Sequence, residues 1–329
     1  MKKYYIGFDT SNYTTSMAAC DEDGHVIANV KIPLPVKEGE RGLRQSDAVF
    51  FHTRNLSEIF SLFEAETKGY GEVMAVGVST KPRDAEDSYM PCFLAGKAAA
   101  TGYSSAAGAP MYSFSHQSGH IMAALYSAFC GNADNGEKMA EMLSRPFAAF
   151  HVSGGTTEIL YVKPGEASFE VEKIGGTTDL NAGQAIDRVG VRMGLAFPCG
   201  PRLEELAMQN TEKLSKPKVS VSGLECCLSG LENLAEGIYA KTENALFVAA
   251  YTIEHVAATL DKLTNNLREK YEELPIIYAG GVMSNRIIKQ RLSKRAGVYF
   301  ADPAFSADNA AGIALLCRMK ALKQTNDTK

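Results

Sequence analysis

The sequence predicts an α/β protein made of two related domains, and three observations carry that expectation. A strand, turn, strand, turn, strand series opens the chain. The same order returns about 142 residues later, with Thr14-Thr15 answered by Thr156-Thr157. Helical periodicity then fills the stretch that follows each series, the arrangement expected of strands covered by helices. The length agrees, since 329 residues at roughly 150 per domain gives two domains, each able to bury its own core.

Taken in order, Tyr4 to Phe8 reads as a strand, Asp9-Thr10-Ser11-Asn12 as a turn, and Thr14 to Ala19 as a second strand. The turn Asp21-Glu22-Asp23-Gly24 leads to a third strand, Val26 to Val30. In the second series Phe147 to Val152, Thr156 to Val162 and Phe169 to Glu172 are the strands, separated by Ser153-Gly154-Gly155 and Lys163-Pro164-Gly165-Glu166. Helical spacing appears at Leu56, Ile59, Phe60 and Phe63 within His52 to Glu66, and at Ile186, Val189 and Met193 within Asn181 to Leu195. Ala245 to Tyr271 is a long helix. Pro275 to Ala279 is a short buried strand ending at Gly280-Gly281, a further helix starts at Asn285, and the last runs from about Asp308 to Lys323. Two such domains would hold a cleft between them.

Composition narrows the class. Hydrophobic residues at 45% and charged residues at 22% are those of an ordinary globular protein, which excludes a disordered or fibrous chain. No window approaches the ~18 apolar residues of a membrane span, and the start reaches Asp9 too early for a signal peptide. Seven cysteines, with Cys226 and Cys227 adjacent, suit free thiols in a reducing cytoplasm. A net charge of −4 argues against coating nucleic acid by bulk charge and leaves room for a local basic face, such as the run Arg286, Lys289, Arg291, Lys294 and Arg295.

Three motifs could carry chemistry. His116-Gln117-Ser118-Gly119-His120 sets two imidazoles at i and i+4, on one face if helical, within reach of one metal ion; the same pair could also simply line a helix. Gln117 cannot serve as the general base of an H-E-x-x-H protease, so the pair favours a metal over peptide hydrolysis. A third, carboxylate ligand is needed, and Asp308 and Asp9 are the candidates. Ser153-Gly154-Gly155 and Asp9-Thr10-Ser11 are matched bends whose backbone amides and hydroxyls could grip a polyphosphate or acyl phosphate from two sides. Gly280 to Asn285 could lie flat against a nucleobase or ribose, with Asn285 either bonding it or capping the next helix.

The ordered set Asp9-Thr10-Ser11, His116/His120, Val152 to Gly155, Asp187, Pro198 to Pro201, Ser220 to Leu224, Gly280 to Asn285 and Asp308 to Ala311 resembles the TsaD-type tRNA threonylcarbamoyltransferases, formerly called O-sialoglycoprotein endopeptidases, from about residue 4 to 315. The resemblance implies an actin-like, sugar-kinase and Hsp70-type (ASKHA) α/β fold. Residues 1–109 with 302–329 would form one actin-like domain and 110–301 the other. It implies His116, His120 and Asp308 as ligands of one divalent metal, iron or zinc. His151, Val152, Ser153, Gly154, Gly155, Asp187, Gly200 and Asn285 would hold an adenine nucleotide or acyl-adenylate, with Asp9, Thr10 and Ser11 as phosphate-loop candidates. The implied reaction moves a threonylcarbamoyl group from its adenylate to an adenosine beside a tRNA anticodon, with TsaB-like and TsaE-like partner proteins and dimer formation as accompanying expectations. It assigns no catalytic residue here.

Departures from the family pattern are local. Asn12-Tyr13-Thr14-Thr15 stands where Cys-Asp-Glu-Thr is usual, Thr156 where His follows the Gly-Gly bend, and Lys81-Pro82-Arg83-Asp84-Ala85-Glu86-Asp87 replaces a Gly-Pro-Gly segment. Ala307 stands in place of Thr. They keep two alternatives open: a paralogue that binds metal and nucleotide but acylates a non-tRNA acceptor, the acidic 84–87 segment repelling a phosphate backbone, and a non-catalytic partner of another protein of this fold.

Overall fold

A computed structural model describes residues 2–11, 13–35, 43–85, 87–129, 135–165, 168–305 and 310–327. In chain order the elements are β1 (Lys2–Ser11), β2 (Thr14–Asp21), β3 (Val26–Pro33), α1 (Gln45–Glu66), β4 (Tyr70–Lys81), α2 (Phe93–Ala107), β5 (Met111–Ser115), α3 (His116–Phe129), α4 (Asn135–Ser144), β6 (Phe147–Val152), β7 (Thr157–Pro164), β8 (Phe169–Thr177), α5 (Ala182–Arg192), α6 (Gly200–Gln209), β9 (Ser220–Ser222), β10 (Glu225–Cys227), α7 (Gly230–Thr242), α8 (Ala245–Lys270), β11 (Ile276–Ala279), α9 (Arg286–Leu292), β12 (Val298–Phe300) and α10 (Ala310–Asp327). They fall into two compact units: Met1–Ser127 with Pro164–Glu170 and Asp308–Lys329, and Ala128–Lys163 with Val171–Ala307.

The first unit is built on a sheet of order β3-β2-β1-β4-β5. β2 runs antiparallel to β1 and to β3, while β4 is parallel to β1 and to β5. β1 is the middle strand and is buried from Tyr4 to Thr10, as a strand covered on both faces must be. Alternation divides its side chains. Tyr4, Ile6 and Phe8 pack with Ile59 and Phe63 of α1 and Ala100 of α2, each large side chain so removed from water contributing about 1.5–3 kcal/mol. Gly7 belongs to the other set, where α10 lies: a Cβ on Gly7 would sit 2.2 Å from the Ala310 carbonyl, and one on Gly77 of β4 would sit 2.8 Å from Cβ of Cys317. Two glycines abreast on neighbouring strands therefore let an alanine-rich helix rest against the sheet backbone.

α1 begins at Gln45, ahead of the His52 start expected from apolar spacing. Its buried stripe is Ala48, His52, Asn55, Ile59 and Phe63. The two polar members break the apolar period and meet a partner inside: His52 Nδ1 lies 2.9 Å from the Thr15 hydroxyl, to which Asn55 also donates at 3.2 Å, while His52 Nε2 is buried without a bond among the described residues.

The second unit repeats the plan. Its sheet has the order β12-β11-β6-β7-β8-β10-β9, so the strands β8-β7-β6-β11-β12 stand to one another as β3-β2-β1-β4-β5 do in the first unit. β6 pairs antiparallel with β7 and parallel with β11, and β11 with β12 is also parallel. The short pair β9 and β10 extends the β8 edge. Phe150 and Tyr278 of the sheet are packed under α8, much of which is core. The duplicated strand series expected from the sequence is thus a duplicated topology.

Candidate functional site

In the first unit the parallel strands bring their carboxyl ends together, the usual seat of ligands in such sheets. Phe8 of β1 pairs with Val78 of β4, and Ser79 pairs with Phe114 of β5, so Asp9, Ser79 and Ser115 lie toward the carboxyl ends of neighbouring strands. Helix α3 follows β5 without a loop, and its first residue is His116. His116 Nδ1 lies 3.0 Å from Oδ1 of Asp9, an oxygen that also accepts a bond from the Ser79 hydroxyl. Asp9 is 1% exposed. Burial opposes its ionisation, yet the neighbouring His116 and the bonds from His116 and Ser79 hold its carboxyl well below the usual carboxylate range. The imidazoles of His116 and His120 meet edge to face with centroids 4.5 Å apart, and Phe93 of α2 backs His116 at 6.0 Å.

These residues fit a metal. Two imidazoles share one helix face, and a carboxylate on Nδ1 of one directs its Nε2 outward, the orientation device common behind metal-bound histidines. Nitrogen donors of this kind suit a borderline divalent ion. Asp308 and its neighbours lie outside the described residues. A second set of ligand types, Asp21, Asp23 and His25, has atoms within 4.8 Å of one another at the β2–β3 turn. There Oδ1 of Asp21 accepts the backbone N–H groups of Asp23 (3.0 Å) and His25 (2.8 Å), so that carboxylate already holds a turn.

The matching bend residues of this unit have internal roles. The Thr10 hydroxyl donates to the Cys92 carbonyl at 3.0 Å and accepts from Gly96 N at 3.1 Å, while Ser11 is partly exposed. Asp84 is engaged as well, bound by Lys81, Ser115 and Ser118.

In the second unit β6 carries His151 and Val152 into the bend Ser153-Gly154-Gly155. The Ser153 hydroxyl accepts from Gly155 N (3.3 Å) and Thr156 N (3.1 Å), and Ser153 N donates to the Thr156 carbonyl at 2.7 Å. The bend is therefore rigid, with Gly154 and Gly155 exposed and nothing within 4 Å of where their side chains would be. Two glycines elsewhere set its back wall. A Cβ on Gly183 of α5 would fall 2.6 Å from Gly154 Cα, and one on Gly280 would fall 2.3 Å from the Val152 carbonyl. Gly280 also has φ +103°, which only glycine adopts readily.

Asp187, one turn along α5, accepts from Cys199 N at 2.8 Å and so ties α5 to the start of α6, where Gly200 leaves open space. Burial raises its carboxyl above the ordinary value, with the Cys199 bond acting against that rise. Asn285 caps α9, its Oδ1 accepting from Ile287 N and Ile288 N at 3.0 and 3.1 Å, which leaves its amide nitrogen outside the cap. The structure thus gathers 151–155, Gly280 and α5 in one place and ties Asp187 to Cys199, the residue before Gly200.

Residues that sequence reasoning missed complete these scaffolds. Glu204 of α6 accepts both the backbone N–H (2.9 Å) and the guanidinium (3.1 Å) of Arg286, beside Asn285. Asp179 accepts from Leu228 N at 2.8 Å and Ser229 N at 3.1 Å, pinning the β8–α5 turn to the start of α7. Glu204 has no local signature; Asp179 lies in Thr177-Thr178-Asp179-Leu180-Asn181, a run of residue types that start helices. The basic run at 286–295 has a structural role: Arg286 pairs with Glu204, Arg291 with Glu254 and Asp261, Arg295 with Asp261, and Lys289 covers the ring of Phe300. Among the described residues no helix is long and apolar enough to cross a membrane.

This pair of repeated sheets is the actin-like, sugar-kinase and Hsp70-type fold. Solved structures bear it out: component A of (R)-2-hydroxyglutaryl-CoA dehydratase from Acidaminococcus fermentans is similar with TM-score 0.53 and 13% identity, covering 97% of this chain and 99% of its own. A ROK family glucokinase from Streptomyces griseus gives TM-score 0.51 and 12% identity, covering 95% and 98%. Those identities speak to fold alone. Family membership comes from sequence. The model of the TsaD family, tRNA N6-adenosine threonylcarbamoyltransferase, matches residues 89–315. Relatives of that name from Streptococcus pneumoniae strains Taiwan19F-14 and CGSP14 are 30% identical over 302 residues, covering 88% of this chain and 83% of theirs. The chain belongs to the TsaD family, a tRNA-modifying family of transferases.

Proposed function

We propose that this protein transfers a threonylcarbamoyl group from its adenylate to N6 of an adenosine beside the anticodon of a tRNA, with one divalent metal, iron or zinc, as cofactor. The observation that carries the reading is the Asp9–His116–His120 constellation in a chain of this family. His116, His120 and Asp308 would hold the metal, which when bound supplies Lewis-acid polarisation. Asp9 fixes the His116 ring by its Nδ1, and Ser79 fixes Asp9. In the other unit the exposed bend 153–155, backed by His151 and Val152, would receive the phosphate, and Asp187, Gly200 and the amide nitrogen of Asn285 the nucleoside. N6 attacks the carbamoyl carbon, a C–N bond forms, the C–O bond to phosphate breaks, AMP leaves and N6 gives up a proton.

Because Arg286, Arg291 and Arg295 are engaged by carboxylates of the chain itself and the chain is acidic overall, tRNA docking falls to another face or to partner proteins of the TsaB and TsaE kinds; a dimer and a cytoplasmic location suit the same reading. Incubation with metal, threonylcarbamoyl-adenylate and unmodified tRNA, followed by nucleoside mass spectrometry, tests it. Threonylcarbamoyl-adenosine is the expected product, and its lack even with partner proteins present overturns the proposal.

A further inference from the structure

The segment that stands in place of the family's Gly-Pro-Gly is attached to the helix that bears the histidine pair. Helix α3 starts directly at His116, so the ring nearest Asp9 sits in a first turn whose backbone N–H groups lack helical partners. The Lys81-to-Ser88 segment meets that need. The Pro82 carbonyl accepts Gln117 N at 3.0 Å. Ser115, just before the helix, accepts Ser118 N on its hydroxyl at 3.2 Å in the manner of an N-cap. Oδ2 of Asp84 then accepts the hydroxyls of both serines, from Ser115 at 2.7 Å and from Ser118 at 3.2 Å. Ser115 is 1% and Ser118 0% exposed while Asp84 is exposed, so these part-buried bonds run from buried hydroxyls to a charge at the surface, a stronger kind than bonds between neutral groups.

The segment is itself closed. Lys81 Nζ lies 3.0 Å from Oδ1 of Asp84, Arg83 N donates to the Ser88 hydroxyl at 2.9 Å, and Ser88 N to the Ala85 carbonyl at 3.2 Å. Asp84 therefore presents a fixed negative charge at the positive end of α3 and holds Ser118, the residue midway between the two histidines. Its carboxylate, though exposed, is thus bonded to Lys81, Ser115 and Ser118 of the protein itself.

We infer that Asp84 is a positioning residue for His116 and His120: through Ser115 and Ser118 it sets the first turn of α3 and hence the relative placement of the two imidazoles. The inference rests on the reading of that pair as metal ligands. The full-length protein is titrated with cobalt(II), whose visible absorption reports ligand geometry, alongside Asp84→Ala, Asp84→Asn and His116→Ala, while hydrogen exchange follows the amides of Gln117 to His120. Expected are a cobalt affinity about 10–100-fold weaker in Asp84→Ala, a shifted visible band, faster exchange in that turn, and partial restoration of all three in Asp84→Asn, which keeps an acceptor oxygen and loses the charge.

Wild-type affinity, band and exchange in Asp84→Ala overturn the inference. Should wild type show no cobalt signal that His116→Ala removes, the metal reading fails instead, and unchanged exchange at Gln117 to His120 still decides against Asp84. If Asp84→Ala does not fold, the same measurements on Asp84→Asn decide, with wild-type affinity and exchange counting against it.

Discussion

Gly183 sets two physical effects against each other. It is the second residue of α5, and replacing a helical glycine by alanine normally gains up to about 1 kcal/mol. Here the new Cβ would lie 2.6 Å from Gly154 Cα, 2.7 Å from Gly154 N and 2.8 Å from the Ser153 carbonyl. All three are backbone atoms of the bend proposed to receive phosphate, and none can rotate aside. Opening 2.6 Å to an ordinary contact of about 3.5 Å moves bend and helix apart by about 0.9 Å. That stretches the Gly183 N to Ser153 carbonyl bond, now 3.2 Å, and overpacking of this sort costs about 1–3 kcal/mol. The clash outweighs the propensity gain. Gly183→Ala is therefore expected to lower Tm by a few degrees, at about 2–4 °C per kcal/mol for a protein of such domains. A displacement near 1 Å at a ligand-holding bend is also expected to weaken binding of an adenine nucleotide by about tenfold or more. Calorimetric titration and thermal unfolding measure both. A variant that is more stable than wild type and binds nucleotide equally well refutes the reasoning.

Other outcomes follow from single groups. His52 and His255 are buried and their pKa values are lowered by that burial, so each favours the fold fully above about pH 6.5 and less as pH falls toward the folded value. Denaturant unfolding is expected to lose at most about 1.4 kcal/mol per histidine between pH 6.5 and 5.5, a loss that His52→Gln and His255→Gln together should abolish. Asp179 has the opposite sign: despite some burial penalty, its bonds from Ser229, Leu228 and Leu180 hold its carboxyl below the ordinary range, so its contribution is present above about pH 4 and fades below. Asp179→Asn should cost about 1–2 kcal/mol at pH 7, reduced for its partial exposure, and flatten acid unfolding below pH 4. Asp9→Asn keeps the shape behind His116 and removes the charge; metal affinity is expected to fall about 10–100-fold with nucleotide affinity unchanged.

What the sequence made legible is what short-range pattern encodes. The three-strand series showed itself twice because turn residues punctuate it, and the His116/His120 spacing revealed its face because a helix fixes i and i+4. Helix α2 did not, since Phe93 to Ala107 is rich in alanine, glycine and serine and offers no apolar stripe to count. The early start of α1 was hidden because His52 and Asn55 occupy its buried face, and only their bonds to Thr15, far away in sequence, make that favourable. Glu204 with Arg286, and Asp84 with Ser115 and Ser118, are pairings across 82 and about 30 residues, which no local pattern announces. The partners of the 286–295 run, on α6 and α8, are likewise far away in sequence.

One departure from the family pattern, at positions 13 and 14, bears on the chemistry more than on binding. The devices that orient binding groups are present: Ser79 and Asp9 behind His116, Gly183 and Gly280 behind the bend, Cys199 N on Asp187. Positions 13 and 14, where relatives of this kind carry two carboxylates, hold Tyr13, half-exposed at the β1–β2 turn, and Thr14. Transfer to N6 releases a proton, and a positioned acceptor for it accelerates such a step by about 10²–10⁴. Binding and chemistry should therefore separate in this chain. Metal and adenine nucleotide are expected to bind in wild type, whereas single-turnover transfer to tRNA should be slow and should rise in Tyr13→Asp/Thr14→Glu without a matching gain in either affinity. Equal transfer rates in wild type and the double variant would show that the proton leaves by another group, and would remove positions 13 and 14 from the chemistry of this protein.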